Sequence, residues 1–278
     1  MKNGRESAEE AQRGAAAKLR RGQEAAEQSR AYTSRFSAVK GGKAASVGGS
    51  GSAPKLLSGT GSNAVQLMVV MTSERGLCGG FNSNIVKKAK AHSNALKAAG
   101  KPVKILTVGK KGRDQMKREY GGLVVGHGDL TAVKRVGYTD AQGIAKDVLT
   151  RFDAGEFDIA TLFYAKFVNV VSQTPTAQQI IPASFEVDED ATETTLYDYE
   201  PSEEAILADL LPRGVATSIF SALLENGASE QGARMSAMDN ATRNAGEMVD
   251  KLTIQYNRSR QAVITNELIE IISGAEAL

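Results

Sequence analysis

Beyond Ser229 a helical pattern persists almost to the C-terminus, and Met235, Met238, Thr242, Ala245, Val249, Leu252, Tyr256, Ser259 and Val263 step by three and four throughout. A seam kept over about four heptads is the length at which a coiled coil separates from chance amphipathicity. The helix opens well upstream. Pro201, Ser202, Glu203 and Glu204 suit a first turn, where proline and acids belong. Pro212 and Gly214 predict a kink or short break inside it. Unbroken from Glu203 to Ile272, such a rod reaches about 100 Å at ~1.5 Å per residue. A compact domain has no use for it, so the rod needs a second helix to cover its seam.

The opposite end of the chain offers one. From Arg5 to Lys40 the sequence is dominated by Ala, Glu, Gln and Arg, all good helix formers. Ala15, Leu19, Gly22, Ala26 and Ser29 recur in steps of four and three, a heptad-like seam of mostly small side chains. Such a face buries little area but lets another helix come close, and alone it is marginal. The two terminal helices therefore predict a long antiparallel coiled coil projecting from whatever lies between them. The rod's remaining faces carry Arg234, Asp239, Asn240, Arg243, Asn244, Gln255, Arg258, Arg260 and Gln261. Solvation explains most of these, and a rod turning inside a collar needs the same polar surface.

Between the helices a Gly/Ser-rich segment with Pro54 at its centre, Gly41 to Asn63, reads as a flexible linker. From Ala64 to Pro182, strand-like and helix-like runs alternate. "AVQLMVVM", "VKILTVG", "GLVVGHG" and "FDIATLFYAKF" are separated by an Ala/Lys-rich helix, a short basic helix "KKGRDQMKREY" and "TDAQGIAKDVLTRF". "VVSQTPTAQQIIP" follows as an extended segment able to pair with its predecessor as a hairpin. This order predicts a mostly parallel sheet covered on both faces, a central Rossmann-like α/β domain. An acidic stretch, Phe185 to Glu204, reads as a surface or partner-facing loop. Three domains result: residues 1–57, 58–200 and 201–278.

The chemistry is sparse. "TSERGLCGGFN", Thr72 to Asn82, joins a strand to a helix through glycines, where phosphate loops sit, but it matches neither nucleotide-binding spacing and no lysine follows the glycines. Gly76, Gly79 and Gly80 read instead as a structural turn that lets strand and helix pack closely. Cys78, the single cysteine of 278 residues, excludes an internal disulfide and a zinc cluster, and with no base beside it is a poor nucleophile. His92 and His127 are the only histidines and stand in different elements, which supports neither a metal site nor a histidine catalyst. No cofactor is expected. A net charge of +2 implies no nucleic-acid partner. Aromatics at 5% and the absence of Trp suit Ala-rich helices. No run of eighteen apolar residues spans a membrane, and the acids among the first residues argue against a signal peptide, so a soluble intracellular chain is expected.

Three stretches then carry a resemblance. Ala228 to Leu278 is similar to the C-terminal helix of the gamma subunit of F-type ATP synthase. "TSERGLCGGFN" resembles the start of that subunit's middle domain, and "AAAKLRR", Ala15 to Arg21, part of its N-terminal helix. The three lie in the family's order across almost the whole chain, and the linker and N-terminus resemble an alphaproteobacterial version. The first residues depart from the pattern: "MKNGRESAEEAQRG" is shorter than the family's helix there and lacks its apolar positions.

The resemblance implies a central-stalk rotor shaft without chemistry of its own. Its partners would be the alpha and beta subunits around the coiled coil, with epsilon and the c-ring at the foot formed by the middle domain and the acidic segment. It would couple proton-driven ring rotation to ATP synthesis or hydrolysis. Its place would be peripheral, on the cytoplasmic side of a bacterial inner membrane or, alternatively, the matrix side of a mitochondrial one. Glu230, Gln231 and Arg234 share one helix face, and Arg260, Gln261, Thr265 and Glu267 another. Solvated i,i+4 pairing accounts for them at a few tenths of a kcal/mol, whereas the resemblance implies contacts with the alpha/beta hexamer. A guanidinium or amide can exchange one carboxylate or backbone partner for the next. Two other readings stay open: a nucleotide-dependent α/β enzyme with helical dimerisation arms, and a coiled-coil scaffold that forms a homodimer.

Overall fold

The computed structural model describes residues 7, 9–11, 13–30, 55–183 and 203–276. The acidic stretch and most of the Gly/Ser-rich segment lie outside them. In chain order the elements are a helix α1 over 13–30, α2 (Lys55–Ser58), β1 (Gln66–Met71), α3 (Phe81–Ala98), β2 (Val103–Val108) and α4 (Lys110–Tyr120). A 3₁₀ turn, Gly121–Leu123, leads to β3 (Val124–Gly128), α5 (Tyr138–Asp153), β4 (Ile159–Phe167), β5 (Gln173–Ile181) and α6 (Glu203–Glu276).

The continuous apolar run of β1 becomes the central strand of one five-stranded sheet, ordered β3-β2-β1-β4-β5, and every residue of β1 is buried. β1 pairs in parallel with β2 and β4, β2 pairs in parallel with β3, and β5 returns antiparallel along β4. This is the mostly parallel sheet that alternating elements predict, with a hairpin at one edge. Side chains of β1 split between two cores with the period of two proper to a strand. Leu67, Val69 and Met71 join Val148 and Phe152 of α5 and Ile219 and Leu223 of α6. Met68 and Val70 join Phe81, Ile85 and Ala89 of α3 and Met116 of α4 on the other face.

The loops after β1 and β2 close on each other at a position only glycine fits. Gly109 has φ +92°, and a Cβ there would stand 2.2 Å from the Thr72 carbonyl oxygen. The Gly112 amide donates to Thr72 Oγ1 at 2.7 Å, so α4 starts against the end of β1.

At its far end the predicted linker is structured. α2 is helical, Leu56 packs on the first core, and the Ala183 amide donates to the Leu56 carbonyl at 3.0 Å. The Asp158 carboxylate accepts the Thr60 hydroxyl and the amides of Ala64, at 3.1 Å, and Val65, at 2.9 Å. One apolar side chain and one carboxylate suffice to fix a stretch whose composition alone reads as flexible.

α6 is a single helix of 74 residues, about 110 Å long at 1.5 Å per residue. The break expected at Pro212 is absent, and the helix runs through the proline. Leu211, Val215, Ala216, Ile219, Ala222 and Leu223 are buried around it, and that packing holds the turn although Pro212 supplies no amide. α1 lies on the next part of α6. Ala15, Leu19 and Ala26 are buried, with Gly22 and Ser29 half-buried. A Cβ on Gly22 would reach Ala228 Cα at 3.4 Å, and Leu19, Ala26, Phe167 and Ala228 form a third apolar cluster joined by Met235. The α6 seam is shielded at Met235, Met238, Thr242, Ala245 and Val249, but every described residue from 251 onward is exposed, Leu252, Tyr256 and Val263 among them. Those positions lie beyond the reach of α1's described residues.

Candidate functional site

β4 overshoots its neighbour. The β1–β4 register ends at Val70↔Phe163, while β4 continues to Phe167. At Ala165 and Phe167 the backbone on that side therefore has no strand partner, although both residues are buried. Side chains of two helices replace the missing strand. Asn226 Oδ1 accepts the Ala165 amide at 3.2 Å, and Ser229 Oγ donates to the Ala165 carbonyl at 2.9 Å. Glu225 Oε2 accepts the Phe167 amide at 2.8 Å, and Arg30 Nη2 donates to the Phe167 carbonyl at 2.7 Å. Arg30 closes the group with a forked ion pair on Glu225, Nε to Oε1 and Nη2 to Oε2, the second at 2.9 Å.

The cluster is buried from the α6 side. The Glu225 side chain is 4% exposed and that of Arg30 42%. A buried backbone group left without a partner costs about 1–3 kcal/mol, and stranding one charge of a buried pair about 3–5 kcal/mol. The hydrogen bond to Glu225 holds the Arg30 guanidinium above its ordinary range. Nearby, burial first and the Glu225 charge second push the Tyr164 phenol up to about 12, so it stays protonated and donates to Gln178 Oε1 at 3.0 Å.

The glycine turn sits one step further along α6. Leu77 and Gly79 have positive φ, 64° and 55°. The Asn82 carboxamide ties the turn internally, accepting the Ser73 amide at 2.9 Å and donating to Cys78 Sγ at 3.2 Å. Burial pushes the Cys78 thiol up, which leaves it neutral and unreactive. From outside, a Cβ on Gly79 would lie 3.8 Å from Ala237 Cβ, and Arg234 Nη2 donates to the Gly76 carbonyl at 3.3 Å. Gly80 is the residue before α3. The turn is thus a seat for α6. Beside it the Glu74 carboxylate accepts the amides of Lys110, at 3.1 Å, and Leu130, at 2.9 Å, and the Thr131 hydroxyl. It ties together the loops that follow β1, β2 and β3.

The residues singled out in the sequence fall into two places about 40 Å apart along α6. Glu230 and Arg234 form an ion pair with side chains only 19% and 16% exposed, not the wet surface that spacing suggests. Burial holds the Glu230 carboxyl above its usual range in spite of Arg234. Gln231 is half-buried, and its Oε1 has no hydrogen-bond partner among the described residues. Arg260, Gln261, Thr265 and Glu267 are exposed, and Thr265 Oγ1 donates to the Gln261 carbonyl of its own helix at 2.8 Å. Ile264 and Leu268 are exposed among them. Periodicity misses the Arg30–Glu225 cluster, because the partners are 195 residues apart. The one available signal is three polar residues, Glu225, Asn226 and Ser229, set in the otherwise small and apolar run "ALLENGAS".

Among the described residues no group of three or more His, Cys, Asp or Glu could hold a metal ion, and no helix is long and apolar enough to cross a membrane.

A family model described as ATP synthase matches residues 14–278. The ATP synthase gamma chain of Roseobacter denitrificans is 79% identical over 264 residues, which cover 95% of this chain and 91% of that one. The gamma chain of a Ruegeria species is 74% identical over 278 residues, covering 100% and 96%. Both relatives are alphaproteobacterial. Among solved structures, a chain in the central stalk and c-ring of Tetrahymena thermophila mitochondrial ATP synthase aligns with a TM-score of 0.63 at 25% identity, over 84% of this chain and 99% of that one. A chain of the Euglena gracilis mitochondrial ATP synthase shares the fold with a TM-score of 0.60 at 21% identity, over 94% and 95%. With a family model over nearly its whole length and relatives this similar, the chain belongs to the ATP synthase gamma-chain family.

Proposed function

We propose that α1 and α6 wind into an antiparallel coiled coil that turns as one stiff body inside the alpha/beta hexamer. The chain is the central-stalk rotor shaft of an F-type ATP synthase, coupling proton-driven rotation of the c-ring to ATP synthesis and hydrolysis. One observation carries the mechanical reading: as numbers rise along α1 they fall along α6, Leu19 clustering with Met235 and Arg30 pairing with Glu225. α6 supports it by being continuous, because a helix that breaks loses torque. The α/β domain, with the acidic segment, is the foot against epsilon and the c-ring. The exposed Arg260, Gln261, Thr265 and Glu267 meet the hexamer, and Glu230, Gln231 and Arg234 act nearer the foot, where a small adjustment releases them to partners. ATP chemistry belongs to the beta subunits, and the asymmetric shaft biases each of them among states of different nucleotide affinity by rigid-body rotation. The complex is membrane-bound, with this chain peripheral on its cytoplasmic side.

Arg260→Ala tests the assignment. In membrane vesicles bearing the assembled synthase, the variant complex is expected in normal amount, but with fewer protons pumped per ATP hydrolysed. A normal pumping yield would remove Arg260 from the coupling surface.

A further inference from the structure

We propose that the Arg30–Glu225 pair, seated on the overshooting end of β4, is the joint that fixes the shaft to the foot and passes torque into both helices at once. This rests on the rotor-shaft reading and adds to it the residues through which the α/β domain grips the rod.

Most of what holds α6 to the sheet is apolar. Val215, Ile219 and Leu223 lie against α5 and the sheet through apolar contacts, which are non-directional and set no bond that fixes the angle of the rod. Slip is the failure a rotating shaft must prevent. Directional contacts prevent it, and apart from the Arg234 bond to the Gly76 carbonyl those described above gather at one place. Glu225, Asn226 and Ser229 hold the backbone of Ala165 and Phe167 by three hydrogen bonds. A turn of α6 about its axis breaks all three. Arg30 then brings in the second helix. Its fork engages both oxygens of Glu225, and Nη2 also reaches the Phe167 carbonyl, so α1, α6 and β4 meet in one group of atoms. A guanidinium has the planar pair of donors this needs, and an ammonium does not. By contrast, Arg21 Nε donates to the Ala17 carbonyl and Gln23 Nε2 to Glu27 Oε1, bonds that stay within α1 and hold nothing else in place.

The neighbourhood keeps the Glu225 end of the group dry and in register. Leu19, Ala26, Phe167 and Ala228 pack beside it. Gly22 and Ala228 allow the two helices to approach closely enough for Arg30 to reach across. On the far side of β4, Pro175 stands opposite Ala165 and turns its backbone outward, its carbonyl accepting Lys88 Nζ at 2.7 Å, while the Ala165 backbone faces α6. The pair is thus a positioning device for the rotor.

Three variants of the assembled synthase test it in membrane vesicles: Glu225→Gln, Arg30→Lys and Arg260→Ala. Each is measured for the amount of complex on the membrane, ATP hydrolysis rate and protons pumped per ATP. Glu225→Gln keeps one acceptor for the Phe167 amide and loses the fork. It is expected to lower the protons pumped per ATP about twofold or more, the size at which single residues of a coupling network act, while complexes that assemble still hydrolyse ATP. Arg30→Lys, on a side chain 42% exposed, is expected to fall between Glu225→Gln and the parent. It carries the test should Glu225→Gln fail to assemble. A role confined to folding predicts less complex with an unchanged pumping ratio per complex, and that result for Arg30→Lys overturns the proposal. If Arg260→Ala loses coupling while both joint variants keep it, the joint alone is wrong. If the chain does not copurify with the hexamer, the rotor reading fails with it.

Discussion

At the scale of single residues, carboxylates do more of the fastening than their sequence context suggests. Asp158 gathers the loop ahead of β1 through the Thr60 hydroxyl and two amides, and these bonds hold its carboxyl below the usual range. A depressed folded pKa contributes stability that is fully present above the unfolded value and is lost as pH falls through the folded one. Asp158→Asn is therefore expected to lower the unfolding free energy at pH 7 by about 1 kcal/mol for the lost charge-assisted bonds, and the denaturation midpoint with it. The difference from the parent should shrink as the medium is acidified through the carboxylate range, as thermal melts across pH would show. A constant difference would contradict it. Such residues are hard to read beforehand. Asp158 and Glu225 both act on backbone that is distant in sequence, and neither period nor spacing encodes that. Arg234 was legible as a residue of interest from its helix face, but its seat on the Gly76 carbonyl was not, because the turn arrives from 158 residues away.

Elements are more transparent, since their signals are local. Ala15, Leu19, Gly22, Ala26 and Ser29 are the least exposed positions that the α1 period picks out, and Met235 to Val249 do the same for α6. Two signals mislead. A Gly/Ser-rich context conceals α2, which exists because Leu56 has a core to enter. Pro212 announces a break that tertiary packing overrides. From that follows a prediction: since α6 stays helical at a residue that withholds an amide from its ladder, Pro212→Ala restores the bond and should stabilise the fold. The ordinary penalty for an interior proline is about 3 kcal/mol. A gain of about 1–3 kcal/mol in urea denaturation is expected, and no gain would mean that the surrounding packing has adapted to the ring.

For the whole molecule, alternation of strands and helices makes the sheet legible. Every strand-like run in the sequence lies in one sheet, and the hairpin closes its edge. What alternation leaves open is which end of the sheet the long helix crosses. With no lysine after the glycines and a neutral thiol in the turn, the isolated chain is expected to show no micromolar ATP binding by calorimetry and no hydrolysis. Heat of saturable binding would return the α/β domain to the enzymes.

The carboxylate of Glu74 gives that expectation a further ground. In open α/β sheets the rim at the carboxyl ends of the strands is where small molecules settle, their phosphates drawn to free amides. Here the amides of Lys110 and Leu130 already answer to a built-in anion. A visiting phosphate would meet like charge and no vacant donor at those two amides. Where such folds often seat a ligand, this one has masonry.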